Sequence, residues 1–594
     1  MNKVKGYPQS FFCWMGYVYL VYGKNSGHLG ISHKPGLDFT FWVRQGYKNF
    51  KLLTPALPIG TAAFFRDLFL KSNLDREGNN KQLINKIMTI GRRLLGLTSW
   101  EPTKGALVEP LMPPPIDEIE LIKEIMEGRI FWREELIQSM IENKIKVRTP
   151  LEDILHWLHL KGDILLFPGV GYDANGKPCC KRCGQSTKLI KVKCAACQSE
   201  DFVCEECLNM GQSRLCRPLY ARQKSEKIAK RDYEVKCNPK LEFDLSLAQK
   251  DAYDKAKDFV AKGKAKECLL WAVCGAGKTE VAYGAITTVL ERGGKVLYTC
   301  PRREVIRELY LRLRSVWPQL SIKAVYGGST DKYSQADLIL ATTHQTLRFY
   351  RMFDLVILDE VDAFPLAGNP MLYHVVERAR HQSGQVLWLT ATPPTNLIER
   401  VNRRELEVIY LPARHHGYPL PEPKIITDPF LKWFGNKRVL KFLIKCIEVT
   451  LKQRVQILVF VSSVMEVKKL VKLLANCNLI QPSWVRGCYA NCSRREEIIN
   501  SFRKGEFPIL VTTTVLERGV TIPRLNVLVL YADDERVFDN NTLVQIAGRV
   551  GRASTYPQGN VWFIGQRVTH SMASACKQIK NFNQLAYKRG YLLK

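Results

Sequence analysis

Residues 268–290 read Cys268-Leu-Leu-Trp271-Ala272-Val-Cys274-Gly275-Ala276-Gly277-Lys278-Thr279-Glu280-Val-Ala-Tyr-Gly-Ala-Ile-Thr-Thr-Val-Leu290. An apolar run that predicts a strand is followed by a glycine-rich loop and then by residues of helical character. Strand, loop and helix N-terminus together make a phosphate cradle, because backbone N–H groups point inward and the helix dipole favours anions. Gly275, Ala276 and Gly277 bring the backbone close to phosphates, Lys278 is placed to neutralise them, and Thr279 to hold Mg²⁺. Ala272 stands where the strict pattern has glycine, giving the form A-x-x-G-x-G-K-T. A chance Gly-Lys-Thr turn is the competing reading, and the motifs downstream decide against it.

About eighty residues after Lys278 comes Phe353-Asp-Leu-Val-Ile-Leu-Asp359-Glu360-Val-Asp362. A buried strand would deliver two carboxylates at its C-terminal edge, where open α/β sheets bind ligands. Asp359 is expected to hold Mg²⁺ and Glu360 to orient and deprotonate the attacking water, two acids being needed because the metal occupies one. Leu389-Thr390-Ala391-Thr392-Pro393 follows another strand, its hydroxyls suited to linking the acidic motif to nucleic-acid contacts. Thr513 to Pro523, with Gly519 inside it, and Gln545-Ile-Ala-Gly548-Arg549-Val-Gly551-Arg552 come later. Arg549 and Arg552, three apart, are expected on one helical face, reaching across a cleft to the γ-phosphate.

Lys and Arg exceed Asp and Glu by 88 to 57 over 594 residues, a net charge of +31. That excess suits a polyanion, nucleic acid first and an anionic membrane surface second. The aromatic run Phe11–Tyr22 is too short and too rich in Tyr and Gly to span a bilayer and has no cleavage site behind it. It predicts a strand or hairpin. Eighteen cysteines suggest metal rather than disulfides, because they cluster as Cys180-x-x-Cys183, Cys194-x-x-Cys197 and Cys204-x-x-Cys207, with Cys216 beyond. Paired C-x-x-C turns close a structural Zn²⁺ site. Ribbon spacing would pair Cys180 and Cys183 with Cys194 and Cys197. Two ions are also compatible, Cys216 then joining the remaining pair.

The expected organisation is α/β, with two tandem RecA-like parallel-sheet lobes over 236–412 and 413–594. They follow an α+β N-terminal region over 1–165 and a zinc-binding module with a basic linker over 166–235. Helical periodicity is read in Lys81–Ile90, Ile116–Met126 and Leu151–Leu160, where His156 and His159 are helix-face residues rather than ligands. The linker Arg217–Arg231 is expected to be partly helical, and the four prolines within 411–424 to form a hinge between the lobes.

These ordered motifs resemble those of superfamily 2 helicases and translocases. Ala341-Thr342-Thr343-His344-Gln345, Asp359 through Pro365, and Thr514 through Pro523 resemble, more narrowly, the ComFA family of competence proteins, from about 178 to the end. That family consists of ATP-driven single-stranded DNA translocases of bacterial transformation. The resemblance implies that Lys278, Thr279, Asp359 and Glu360 serve ATP and Mg²⁺, that Gln545, Arg549 and Arg552 complete the site, and that Gln249 reads adenine. It places Pro301, Arg302, Arg303, Thr342, Thr343 and His344 on single-stranded DNA, and favours Cys180, Cys183, Cys204 and Cys207 as one zinc set. It implies a cytoplasmic protein at the inner face of the membrane, with the channel ComEC, ComFC and DprA as partners and a homo-oligomer as an option. Thr514 and Thr521 stand where DEAD-box enzymes have aspartates, which argues against RNA unwinding. The rival readings are a PriA-like restart helicase, and a zinc-anchored DNA-binding scaffold with a nucleotide switch.

Overall fold

The computed structural model describes residues 13–593 except 23–26, 72–107 (save 85, 87 and 89), 226–237, 364–367, 430–436, 478 and 517–521. The helix expected over 81–90 falls largely outside the described residues, as does the end of the linker expected to run to Arg231.

The aromatic run forms β1 (Met15–Tyr22), flanked by β2 (Gly27–Ser32), β3 (Asn49–Leu52) and β4 (Leu57–Pro58). All pair antiparallel with β1, so the expected hairpin is present. The helix Ile59–Lys71 closes this sheet over a core of Trp14, Val18, Phe65 and Phe69. The periodic stretches form helices Ile116–Ile125 and Leu151–Leu160, which bury Ile119, Ile122, Ile154 and Trp157 together. His156 lies on the buried face, 2.5 Å from Asp38.

Seven short strands follow: β5 (Arg129–Phe131), β6 (Leu165–Pro168), β7 (Val170–Tyr172), β8 (Pro178–Cys180), β9 (Leu189–Lys193), β10 (Glu200–Cys204) and β11 (Pro218–Arg222). The start of the basic linker is therefore a strand, where a partly helical segment was expected. Pro218 is tolerated at the first strand position, and Leu219, Tyr220 and Ala221 are buried between β5 and β6. This sheet joins residues on both sides of position 165.

The first lobe contributes β12 (Glu267–Ala272), β13 (Val296–Cys300), β14 (Ile322–Val325), β15 (Leu338–Thr342), β16 (Phe353–Asp359), β17 (Arg380–Thr390) and β18 (Glu407–Leu411). They form a parallel sheet ordered β14-β15-β13-β16-β17-β12-β18. The second lobe has β19 (Lys424–Thr427), β20 (Gln456–Phe460), β21 (Val485–Cys488), β22 (Ile509–Thr512), β23 (Leu525–Leu530) and β24 (Val561–Gly565), parallel in the order β19-β24-β23-β20-β22-β21. Both sheets are buried on two faces, which is why their strands read as unbroken Val, Ile and Leu runs. The proline-rich stretch after Leu411 does connect the two lobes. Among the described residues, no helix is long and apolar enough to cross a membrane.

The N-terminal half docks on the first lobe through Arg129. Its guanidinium is fully buried, donates to the carbonyls of Lys332 at 3.0 Å and Ser334 at 2.6 Å, and lies 4.5 Å over the Phe349 ring. Burial lowers its pKa to about 9, so it stays cationic at neutral pH. Tyr350 N donates to Gly128 O beside it at 2.9 Å. Arg129→Met would deprive two partly buried carbonyls of their donor, and an expected loss of about 1–3 kcal/mol follows from the cost of unsatisfied polar groups. Urea unfolding should show it, with the N-terminal half becoming protease-sensitive first.

Candidate functional site

The phosphate loop leaves β12, which lies between β17 and β18 in the first sheet, and enters the helix Lys278–Glu291. Gly275 and Gly277 adopt φ of +76° and +85°, the left-handed region that favours glycine. At Gly277 a Cβ would fall 2.3 Å from Gln249 Nε2, so glycine is required on two counts. Gln249 is buried, donates from Nε2 to Ala276 O at 2.9 Å, and accepts from Ser246 N at 3.0 Å. Both ends of its amide thus shape the loop and the start of the helix Leu247–Lys262 in this structure.

Asp359 ends β16, next to β13. The buried Tyr298 hydroxyl donates to Asp359 Oδ2 at 2.8 Å and also meets the Thr279 side chain. Burial, reinforced by the Asp359 charge, holds the Tyr298 phenol well above its ordinary pKa and hence protonated. Thr279 and Asp359, expected to hold Mg²⁺, therefore converge on one hydroxyl, a donor set of hard oxygens that fits this ion. Glu360 follows at φ +53°, a left-handed conformation uncommon for a non-glycine residue. Its backbone N–H donates to Asp359 Oδ1 at 2.8 Å.

Asp362, quoted with the acidic motif but given no role of its own, is the hub of the site. It accepts from Thr390 Oγ1 at 2.6 Å and from Thr392 Oγ1. The hydroxyls of this motif therefore do bond the acidic one. Gln545 of the second lobe reaches across, its Nε2 donating to Asp362 Oδ2 at 3.3 Å and Thr392 Oγ1 at 3.2 Å. Its Oε1 accepts from Cys274 Sγ at 3.2 Å, in the phosphate loop.

The arginines differ from expectation in one respect. The helix carrying Gln545 ends at Ala547, capped at Gly548, so Arg549 and Arg552 sit in the turn beyond it rather than on a helical face. Arg552 Nε donates back to Gly548 O at 2.8 Å, and a Cβ on Gly275 would lie 3.5 Å from Arg552 Cγ. Arg552 therefore packs directly against the phosphate loop, and Arg549 is buried nearby in sequence. Burial lowers the Arg552 pKa, while the charge of Glu360 acts upward. Gly519 lies outside the described residues.

Arg414, hidden in the proline-rich connection, was given no role in the sequence reading. It is buried and donates to Cys274 O, Gly548 O, Val550 O and Gly551 O. It fastens the phosphate loop to the arginine turn. A basic residue among turn residues gives no pattern that would betray this.

The expected DNA contacts gather at the C-terminal edges of β13 and β15. Pro301 and Arg302 are half-buried and Arg303 is exposed, stacked 5.4 Å from Tyr326. Arg302 Nε stands 3.6 Å from Glu360 Oε2, so this arginine faces the carboxylate of the acidic motif. Thr342 and His344 are half-buried, while Thr343 is fully buried with its hydroxyl 3.5 Å from that of Thr299.

The cysteines sort into two groups, each with its sulfurs within 4.8 Å of one another: Cys180, Cys183, Cys204 and Cys207, and Cys13, Cys194, Cys197 and Cys216. Both groups could hold a metal. In the first, Cys180 and Cys207 are 3.8 Å apart and Cys183 and Cys204 3.5 Å, near the edge of about 3.8 Å that zinc–sulfur bonds of about 2.3 Å impose on a tetrahedron. The ribbon pairing of Cys180 and Cys183 with Cys194 and Cys197 is not observed, because β9 and β10 carry Cys194 away from the first pair. Cys13, missed in the sequence, lies 181 residues from Cys194, and no local motif announces it.

Comparison with known proteins agrees with this geometry. Residues 247–401 match the DEAD/DEAH box helicase family and residues 438–554 the helicase conserved C-terminal domain. Residues 121–221 match the competence protein ComFA N-terminal domain, so the likeness extends further toward the N-terminus than residue 178. The chain is 32% identical over 456 residues to competence protein ComFA of Bacillus subtilis, covering 76% of this chain and 96% of that one. It is 36% identical over 388 residues to ComFA of Streptococcus pneumoniae, covering 65% and 86%. A solved structure of RecG bound to a three-way DNA junction aligns over 59% of this chain and 47% of that one at 20% identity, with a TM-score of 0.42.

Where the lobes meet, a Cβ on Gly548 would lie 2.4 Å from Cys274 Cβ. Gly548 has φ −62°, so alanine suits the backbone and only the approach forbids it. Gly548→Ala should wedge the lobes apart, lowering ATP turnover at least tenfold while leaving the thermal stability of each lobe unchanged. Steady-state hydrolysis and calorimetry on the same preparation would show both. On the shared phosphate loop, acidic strand and arginine turn, with both motor domains and the N-terminal domain matched, the chain is an ATP-dependent helicase-type enzyme that belongs to the ComFA family of superfamily 2 helicases.

Proposed function

We propose that the chain is a DNA-stimulated ATPase that moves along single-stranded DNA and draws transforming DNA into the cytoplasm during competence. The observation that carries this reading is the Gln545 bridge, which joins the second lobe to Asp362, Thr392 and the phosphate loop. A site completed only when two lobes meet couples hydrolysis to their separation and closure. Lys278 and the N–H groups of the loop bind the phosphates, Glu360 orients and deprotonates water, and Arg549 and Arg552 meet charge developing on the γ-phosphate. Bound at Thr279 and Asp359, Mg²⁺ would neutralise phosphate charge. The net charge of +31 supports a polyanionic track. Family likeness supports the competence setting, with ComEC, ComFC and DprA as partners at the inner face of the membrane. The first cysteine set is assigned to a structural zinc.

The Arg302–Glu360 contact suggests how DNA stimulates turnover. A DNA phosphate that draws Arg302 away releases Glu360 to act on water. Arg302→Ala is then expected to raise hydrolysis without DNA and to shrink the stimulation by DNA, whereas a plain loss of activity in both conditions would count against this route.

The direct test is ATP hydrolysis with single-stranded DNA, duplex DNA and RNA, using Glu360→Gln as control. Stimulation by single-stranded DNA, lost by more than a hundredfold in the variant, supports the translocase. Equal stimulation by RNA or forked duplex points to a helicase of another kind, and tight binding without stimulated turnover to a nucleotide-switched scaffold.

A further inference from the structure

We propose that Cys13, Cys194, Cys197 and Cys216 form a second tetrathiolate site for a zinc-class ion, which clamps the N-terminal sheet onto the cysteine module. Three of these residues lie inside the segment matching the ComFA N-terminal domain, and Cys13 lies outside it. The sulfur of Cys13 stands 3.4 Å from that of Cys194 and 3.5 Å from that of Cys216, and Cys194 and Cys216 are 3.8 Å apart. These separations approach the tetrahedral edge of about 3.8 Å for zinc and thiolate. They are far beyond the sulfur–sulfur bond of about 2.05 Å in a disulfide.

The backbone supports the same assignment. In the first group, Cys180 N donates to Gln185 O at 2.8 Å and Gly184 N to Cys180 O at 2.9 Å. In the second, Cys194 N donates to Ser199 O and Gln198 N to Cys194 O, both at 2.9 Å. The residue after each of these two C-x-x-C turns is left-handed, Gly184 at φ +78° and Gln198 at φ +56°. The turn that presents Cys194 and Cys197 is thus a copy of the one presenting Cys180 and Cys183. It is adopted even where the sequence offers glutamine instead of glycine.

The two sites hold different things together. The first is fully buried and shares a core with Phe349, Met352 and Val356 of the first lobe. The second has Cys13 and Cys197 half-exposed and sits where the N-terminal sheet meets the module. There Trp14 N donates to Cys216 O at 2.9 Å and Gly60 N to Leu215 O at 3.0 Å. Buried Asp201 orders the loop before Cys216, accepting from Phe202 N and Leu215 N, each at 2.7 Å, with Arg214 at 3.5 Å to offset its charge. Such outer groups orient ligands. Metal at this second site secures the N-terminal sheet without entering the motor core, and its exposed edge makes it the first to yield to a chelator.

The test is zinc content of the full-length protein by elemental analysis and native mass spectrometry, after saturation with zinc and removal of excess. The expected result is two ions per chain, falling to one in Cys13→Ser and in Cys197→Ser, with sulfur-only coordination by X-ray absorption. Limited proteolysis of Cys13→Ser should release the N-terminal sheet while ATP binding persists. One ion per chain in the wild type, unchanged by Cys13→Ser, would overturn the proposal. So would two ions retained in that variant, or a thiol titration showing Cys13 oxidised to a disulfide.

Discussion

A single buried cation sets the geometry on which the active site depends. The Arg414 guanidinium lies in the interface between the lobes, and its hydrogen-bond partners there are main-chain carbonyls, one from the phosphate loop and three from the arginine turn. Burial pulls its pKa down to about 9, yet it remains charged at neutral pH. A buried charge tolerates its position only while every partner stays in reach. The loop, the turn and the connection between lobes are therefore constrained as one unit. Around this unit the close approach of Gly548 to Cys274 leaves no room for a methyl group.

The acids are arranged by the same economy. Asp359 and Asp362 emerge at the end of β16 within three residues, yet face different partners. Asp359 meets Tyr298 beside Thr279, on the side suited to a cation. Asp362 gathers Thr390, Thr392 and Gln545, binding two lobes through neutral donors. Glu360 between them is turned by its positive φ toward Arg302. Three consecutive functions in one short segment require this alternation of direction.

Much of this was legible in the sequence because it depends on local order. The strand, loop and helix around Lys278 are contiguous, and so is the apolar strand ending at Asp359. Two parallel sheets followed from alternating runs; the paired cysteine turns pointed to metal, but compact spacing grouped them wrongly, and only the family resemblance favoured the first set. What stayed hidden depends on contacts between distant residues. Arg414 acts through carbonyls, which carry no side-chain signature. Cys13 meets its partners only because β1 folds back on the module. The strand at Leu219 to Ala221 was masked by the basic residues around it, although its own side chains are those of a buried strand. The three-residue spacing of Arg549 and Arg552 predicted one helical face, but the chain turns at Gly548, whose missing side chain is what lets the lobes touch.

The placement of β11 bears on how the chain is built in the cell. This strand lies between β5 and β6, so residues 129–131 and 165–168 have no shared neighbour until residue 222 has been made. Domains fold as units from the N-terminus during synthesis. The β5-β11-β6 sheet can therefore close only after residue 222 has left the ribosome, and the stretch between there and the first motor strand at residue 267 gives it an interval in which to do so. Cys216, the last member of the two cysteine groups, emerges just ahead of the inserted strand. The motor, made afterwards, then supplies the carbonyls that Arg129 takes up and the side chains that bury the first cysteine set.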